Sequence, residues 1–213
     1  MTIWDERYQS GEGLRWWPNE ELVRFLGKTY GDMRKLPGAG KHALELGCGT
    51  GCNLLALTAY GFFAHGVDAS DEACLLAQEY VGSMVDGKAQ FRVSRLALPD
   101  TLHWSTASMD LVVDCQTIQH LSWLDRSDTY KEVARVLKPT GKFWTMCWSG
   151  PAKAANSIYG GCYPELDYML LTDILDVLGE NGLQGSFPVI VTRTYPEHGG
   201  IQGEWMIVEA VKA

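Results

Sequence analysis

The sequence predicts a doubly wound α/β fold with a mostly parallel sheet, and three observations carry that expectation. Short runs rich in Val, Leu, Ala and Phe alternate with stretches of helical periodicity, the pattern of successive β-α-β units. Three glycines, Gly47, Gly49 and Gly51, are packed into five positions between an apolar run and a helical one. Towards the C-terminus, two β-rich runs flank a turn-like stretch, which reads as an antiparallel hairpin added to the sheet edge.

Taken in order, "NEELVRFLGKTYGDM" is a helix ahead of the first strand. Strands are expected near His42–Leu46, Phe62–Val67, Ala89–Val93, Asp110–Val113 and Lys142–Trp148. Between the second and third, "SDEACLLAQEYVGSMV" opens on Ser70 as N-cap, puts Asp and Glu in the first turn and then repeats apolar residues at helical spacing. "DRSDTYKEVARVLKPTG" reads as a helix closed by Lys138 and Pro139, because proline disfavours helical geometry in the residue before it. "SGPAKAANSIYGGCYPELDYMLL" has no clear period and reads as an inserted functional loop with some helix. A capped helix at "TDILDVLGENG" follows, then the hairpin strands "SFPVIVTRT" and "EWMIVEAVK" joined by "YPEHGGIQG". The chain shows no internal repeat, low-complexity tract or linker.

Bulk properties narrow the function. A chain of 213 residues with 46% hydrophobic and 21% charged residues suits one soluble domain with a sizeable core. Its net charge of −8 offers no basic surface to neutralise a phosphate backbone, which argues against nucleic acid and anionic membranes as partners. The six cysteines, at 48, 52, 74, 115, 147 and 162, form no CxxC pair and read as reduced thiols of a cytoplasmic protein. The opening "MTIWDERYQSGEG" is too charged for a signal peptide, and no apolar stretch is long enough to span a bilayer.

Glycines between strand and helix let a ligand approach the main chain where helix N-terminal N–H groups face it. A dinucleotide fingerprint needs G-x-G-x-x-G. Counting from Gly47 gives Gly49 and then Cys52, and counting from Gly49 gives Gly51 and then Leu54, so the third glycine and the close helix–strand packing it permits are missing. No Gly-Lys-Ser/Thr follows for a phosphate-binding P-loop.

"ELGCGTG", Glu45 to Gly51, does resemble the first motif of the class I S-adenosylmethionine (SAM)-dependent methyltransferases, those acting on small molecules. "HGVDAS" resembles the end of that family's second strand, "MDLVVDCQTIQHL" its fourth-strand motif, "EVARVLKPTGKF" the helix and turn before its fifth strand, and "WDERYQSGEG" its N-terminal lid. The resemblance implies a Rossmann-like sheet of seven strands in a single domain. Residues 1–40 would form a helical lid, 41–148 the cofactor-binding core, 149–171 a substrate loop and 172–213 the C-terminal helix and hairpin. It implies SAM as cofactor and S-adenosylhomocysteine (SAH) as product.

Carried onto this chain, the resemblance places Gly47, Cys48, Gly49 and Gly51 in the cofactor loop, Tyr8 and Trp16 in the lid, Ala69 beside Asp68, and Cys115 with Gln116 after the fourth strand. A carboxylate fixed at a strand end can accept both hydroxyls of a ribose, which is the role expected of Asp68. The plainer reading is a helix-capping Asp, although Ser70 is the better cap. Glu45 could orient loop amides, face the cofactor's ammonium, or simply brace the loop. Where the family commonly has an acidic residue for the adenine, this chain has Ser94, Arg95 and Leu96, leaving main-chain groups and stacking to hold the base. Arg95 reads equally as a solvated surface charge.

Methyl transfer chiefly requires alignment of an acceptor lone pair and removal of its proton, if it has one. Asp114, Cys115, Gln116 and Thr117 stand where enzymes acting on exocyclic or amide nitrogens carry Asn/Asp-Pro-Pro-aromatic, which disfavours that class. No carboxylate cluster suits a divalent ion, so no metal is expected. His120 is the candidate general base, its alternative being a brace for the following helix, and Cys115 reads as packing. Trp16, Trp17, Trp148, Tyr159 and Tyr163 suggest an enclosed pocket for a flat or cationic acceptor. The expected function is methyl transfer to O, N or S of a small metabolite, and "WDERY" leaves a soft acceptor open. The alternatives are a non-catalytic SAM-binding regulatory or scaffold protein and a dinucleotide-dependent oxidoreductase.

Overall fold

A computed structural model describes residues 2–11, 14–87, 89–149, 171–186, 188–195 and 201–213. Most of the expected substrate loop, with Tyr159 and Tyr163, lies outside the described residues. The elements are α1 (Ile3–Gln9), α2 (Glu20–Tyr30), β1 (His42–Leu46), α3 (Cys52–Ala59), β2 (Phe63–Asp68), α4 (Asp71–Met84), β3 (Phe91–Arg95), β4 (Met109–Cys115), α5 (Trp123–Val136), β5 (Leu137–Trp148), α6 (Leu171–Glu180), β6 (Leu183–Gly185), β7 (Val189–Tyr195) and β8 (Ile201–Lys212).

The strands form one sheet in the order β3-β2-β1-β4-β5-β8-β6, with β7 also on β8. β1 to β5 run parallel, and β8 lies antiparallel to β5, from Lys142 opposite Val211 to Trp148 opposite Trp205. The sheet has eight strands where seven were expected, because the edge partner of β8 comes in two pieces. β6 pairs with Ala210–Lys212 and β7 with Ile201–Ile207. Pro188, which has no N–H for the ladder, stands just before β7.

Strands buried on both faces read as continuous apolar runs, and alternation assigns their side chains to opposite layers. Leu44 and Leu46 of β1 join Val112, Phe143, Tyr130 and Ile174 in one core. Ala43 faces the other, with Val113, Trp144, Leu54, Leu57 and Leu22. Glu45 shares that parity, so a carboxyl enters the layer covered by α2 and α3.

Two boundaries differ from expectation for local reasons. α5 stops at Val136, because Pro139 drives Lys138 out of helical geometry and Leu137 is already extended, paired with Met109 of β4. The close approach of α3 to the sheet, which the missing third glycine left unspecified, comes from Gly66 on β2. A Cβ there would stand 2.8 Å from Cys48 Sγ and 2.9 Å from Leu54 Cδ1. Ser70 caps α4 as expected, accepting from the Ala73 N–H at 3.1 Å.

The unforeseen α1, seven residues long, is nearly two turns of helix capped at its start. Thr2 accepts from the Asp5 N–H at 3.1 Å, and Asp5 accepts from the Thr2 N–H at 2.5 Å.

Candidate active site

β1, β2 and β4 end side by side where the strand order reverses, the place at which open α/β sheets bind ligands. A cleft of about 660 Å³ opens there between the strand ends and the N-terminal segment.

Its floor is the loop from Gly47 to Gly51. Gly49 has a φ of +52°, and a Cβ on it would lie 2.8 Å from the Tyr8 hydroxyl, so its lack of a side chain lets α1 close over the loop. The Gly49 N–H donates to Asp68 Oδ2 at 2.9 Å, and the Ser70 N–H donates to Asp68 Oδ1 at 3.0 Å. Asp68 is only 8% exposed. Burial pushes its carboxyl above the usual carboxylate range, while the amides of Ser70 and Gly49 oppose that shift. The Ala69 amide acts on it in the same sense, and a carboxylate with about four acceptor directions still keeps some capacity to accept.

Glu45 is 1% exposed and borders the cleft. Its Oε1 accepts from Asn53 Nδ2 at 2.7 Å, and its Oε2 has no hydrogen-bond partner among the described residues. Burial pushes this carboxyl up to about 8. The Asn53 bond and Arg15 work against that shift, and the nearby Asp68 and Asp114 add to it.

The N-terminal segment straps the rim. The Thr50 hydroxyl donates to the Arg15 carbonyl, the Tyr80 hydroxyl to the Trp16 carbonyl, and the Asn19 N–H to Asn53 Oδ1 at 2.7 Å. Arg15 also donates to Gln116 Oε1 at 3.1 Å. On α1, Asp5 accepts from the Ser70 hydroxyl at 2.6 Å, and this bond, with those from Thr2, holds its carboxyl well below the usual range.

The opposite wall follows β4. Asp114 accepts from the N–H groups of Thr117 and Ile118, at 2.9 and 3.1 Å, and from the Thr145 hydroxyl at 2.6 Å. It thereby sets the turn that delivers Gln119 and His120. Burial pushes its carboxyl up to about 6. The His120 ring meets Trp4 edge-on with centroids 5.2 Å apart, and Arg7 lies 5.4 Å over the Trp4 ring. Burial, then the charges of Arg7 and Arg126, lower the His120 imidazole to about 4. Its Nε2 is 3.3 Å from Gln119 Nε2.

Of the residues expected from sequence, Tyr8, Glu45, Gly47, Cys48, Gly49, Asp68, Ala69, Leu96, Cys115, Gln116, Trp17 and His120 line the cleft. Five others are placed elsewhere. Trp16 packs edge-on against Tyr80, with centroids 4.9 Å apart. Gly51 starts α3 with its α-carbon turned to Ala77 and Val81 of α4. Ser94 sits within β3 opposite Val67. Arg95 forms an exposed ion pair with Asp71 at 3.4 Å, and its Nε donates to the Ala69 carbonyl at 3.2 Å. Trp148 is buried against Trp205, and its contribution is a backbone N–H given to Gln119 Oε1 at 2.6 Å.

Sequence reasoning missed Asn53, Gln119, Trp4, Arg15 and Asp5. Only Asp5 left a local sign, the Thr-x-x-Asp capping pattern from Thr2. Burial pushes the cleft-lining thiols of Cys52 and Cys115 to about 12, which makes them poor nucleophiles. Among the described residues, no group of three or more His, Cys, Asp or Glu is gathered to hold a metal ion, and no helix is long and apolar enough to cross a membrane.

A family model described as "Methyltransferase domain" matches residues 43–141. No curated protein sequence matches the chain significantly. Among solved structures, the chain is similar to the YcgJ protein of Bacillus subtilis, with a TM-score of 0.70 and 16% identity over 91% of this chain and 99% of that one. It is similar to magnesium protoporphyrin IX methyltransferase from Synechocystis with bound SAH, with a TM-score of 0.69 and 20% identity over 91% and 81% of the two chains. A third is Haemonchus contortus phosphoethanolamine N-methyltransferase 2, in complex with phosphomonomethylethanolamine and SAH, with a TM-score of 0.66 and 18% identity over 99% and 56%. At these identities the likeness is one of fold.

Proposed function

We propose, from the match of residues 43–141 to a methyltransferase-domain model, that this chain is a SAM-dependent enzyme that methylates a small organic acceptor in the cleft above β1, β2 and β4. The observation that carries the reading is the unpartnered Oε2 of Glu45, a buried acceptor beside a bare glycine loop. An ammonium placed against it gives the orphaned oxygen a partner and favours the ionised carboxylate, drawing off the proton that burial otherwise keeps there.

The residues fit such a cofactor from end to end. Glu45 would take its ammonium, Asp68 would accept from the ribose hydroxyls, and Leu96 and Leu98 would give the base an apolar wall. When bound, the cofactor supplies a methyl carbon that accepts an electron pair while its bond to sulfur breaks towards sulfur. The chain's own work is to bind, orient and exclude water. The strap 14–19 and α1 cover the loop through Arg15, Asn19 and Tyr8, and Trp4, Arg7, Trp17 and His120 border the remaining space. A volume of about 660 Å³ lies within the range of sites that enclose drug-sized ligands, and it suits a cofactor with a small acceptor.

The acceptor atom is O, N or S. The fold neighbours include enzymes whose names specify a porphyrin and a phosphorylated ethanolamine as substrates, so the fold itself does not restrict the choice. Incubation with SAM and a panel of small metabolites, followed by chromatography for SAH, tests the proposal. SAH formed only when an acceptor is present supports catalysis. Binding of SAM with no SAH from any acceptor supports a non-catalytic binding protein.

A further inference from the structure

Gln119 is buried and held at three points. Its carbonyl accepts from an Arg126 guanidinium N–H at 2.8 Å, its side-chain Oε1 accepts from the Trp148 N–H at 2.6 Å, and its Nε2 faces His120 Nε2 at 3.3 Å. The Trp148 bond decides which end of the amide is which, because a backbone N–H needs an acceptor. The nitrogen turned to His120 is therefore a donor, and the imidazole nitrogen opposite it must present its lone pair. A neutral imidazole has one such lone pair. Spending it on Gln119 leaves the ring hydrogen on Nδ1, and protonating Nε2 would set two donors face to face.

We infer that Gln119 is a positioning residue that locks His120 in the Nδ1–H tautomer, so that His120 takes no proton from the methyl acceptor and the site is matched to acceptors that arrive as anions, carboxylates or thiolates.

This rests on the methyltransferase reading for its acceptor class, while the tautomer stands on geometry alone. An anionic acceptor has no proton to shed when its electron pair forms the new bond, so the charges balance without a base. The surroundings agree. Among the described residues, Arg7 from α1 and Arg126 from α5 act on His120, and both cations oppose an imidazolium there. Trp4 meets the same ring edge-on.

The test is long-range ¹H–¹⁵N NMR of the ¹⁵N-histidine-labelled protein without ligand, across pH 5 to 8. The expected result is an unprotonated Nε2 and a protonated Nδ1 for His120, with no titration in that range. Gln119→Glu should reverse the tautomer and bring the titration into the neutral range, because a carboxylate accepts where the amide donated. An Nε2–H tautomer in the unsubstituted protein, or a His120 titration near neutrality, would overturn the inference whatever becomes of Gln119→Glu. The acceptor class has its own arm: SAH should form with small carboxylates or thiols and not with alcohols. Turnover of alcohols with a rate that follows the His120 titration would overturn it. If SAM fails to bind at all, the methyltransferase reading falls and takes the acceptor class with it, while the NMR result still decides the tautomer.

Discussion

The Ser70 hydroxyl donates to the buried carboxylate of Asp5 at 2.6 Å, joining α1 to the first residue of the α4 cap. The same serine gives its N–H to Asp68 and accepts from the Ala73 N–H. One residue therefore connects α1, the N-terminus of α4 and the carboxylate proposed to hold the ribose. Closing α1 over the loop and presenting Asp68 are parts of one hydrogen-bonded unit, and such units respond to substitution as networks.

Replacing Asp5 by Ala should loosen α1 without reaching the core. Affinity for SAH should fall by about tenfold, with faster dissociation and a circular dichroism spectrum close to the original. Unchanged dissociation kinetics by stopped-flow fluorescence would mean that α1 does not act as a lid.

Asp68→Ala should weaken SAH binding by about 1.5–3 kcal/mol, roughly tenfold to a hundredfold, through loss of hydrogen bonds to an ionised acceptor. The same change strips partners from the Gly49 and Ser70 amides, so Tm should drop as well while the fold persists. A variant with normal SAH affinity by calorimetry would remove Asp68 from the ribose.

Glu45 sets a pH dependence with a defined sign. Its folded value of about 8 lies above the ordinary glutamate value of 4.5, so the unfolded chain ionises first as pH rises and the empty protein loses stability between about 4.5 and 8. Glu45→Gln should abolish that loss, raising Tm at pH 8 relative to pH 5 while weakening SAH binding. At pH 7, SAH uptake by the original protein should release close to one proton, read from calorimetry in buffers of different ionisation enthalpy. Adenosine, with no ammonium, should release none. Equal proton counts for the two ligands would detach Glu45 from the ammonium.

Histidines buried as neutral rings act at the acid end. His65, 3.0 Å from His42 at the far end of the sheet, is lowered to about 4 by burial, then by His42 and Arg92, and His120 is lowered to a similar value. From an unfolded value of 6.5, the unfolded chain takes up protons that the folded one refuses, so stability falls as pH drops from about 6.5 to 4. His65→Gln should flatten this slope in urea titrations across that range. An unaltered slope would place the acid sensitivity elsewhere.

Much of this was legible because it rests on local chemistry. Ser70, the glycine loop and the order of strands and helices are signalled by spacing and by residues with narrow conformational roles. What escaped depended on three-dimensional closure. Asn53 reads as an ordinary helix residue until β1 puts Glu45 beside it, and Gln119 gains its role only because β5 ends with the Trp148 N–H pointing at its side chain. Trp148, expected at the acceptor, is instead held in the core by Trp205 across the β5–β8 pair. Arg95 lies within reach of Asp71 only once β3 and the start of α4 are set side by side. The split edge strand was hidden because β6 has only three residues, too few to show a period.

The central claim is that the cleft over Gly47–Gly51 holds SAM through Glu45 and Asp68. Isothermal titration calorimetry at pH 7 with SAH, NAD and ATP in turn tests it most directly. The account predicts one SAH bound per chain and no heat of binding from NAD or ATP. Comparable affinity for NAD, or no binding of SAH at millimolar concentration, would contradict it.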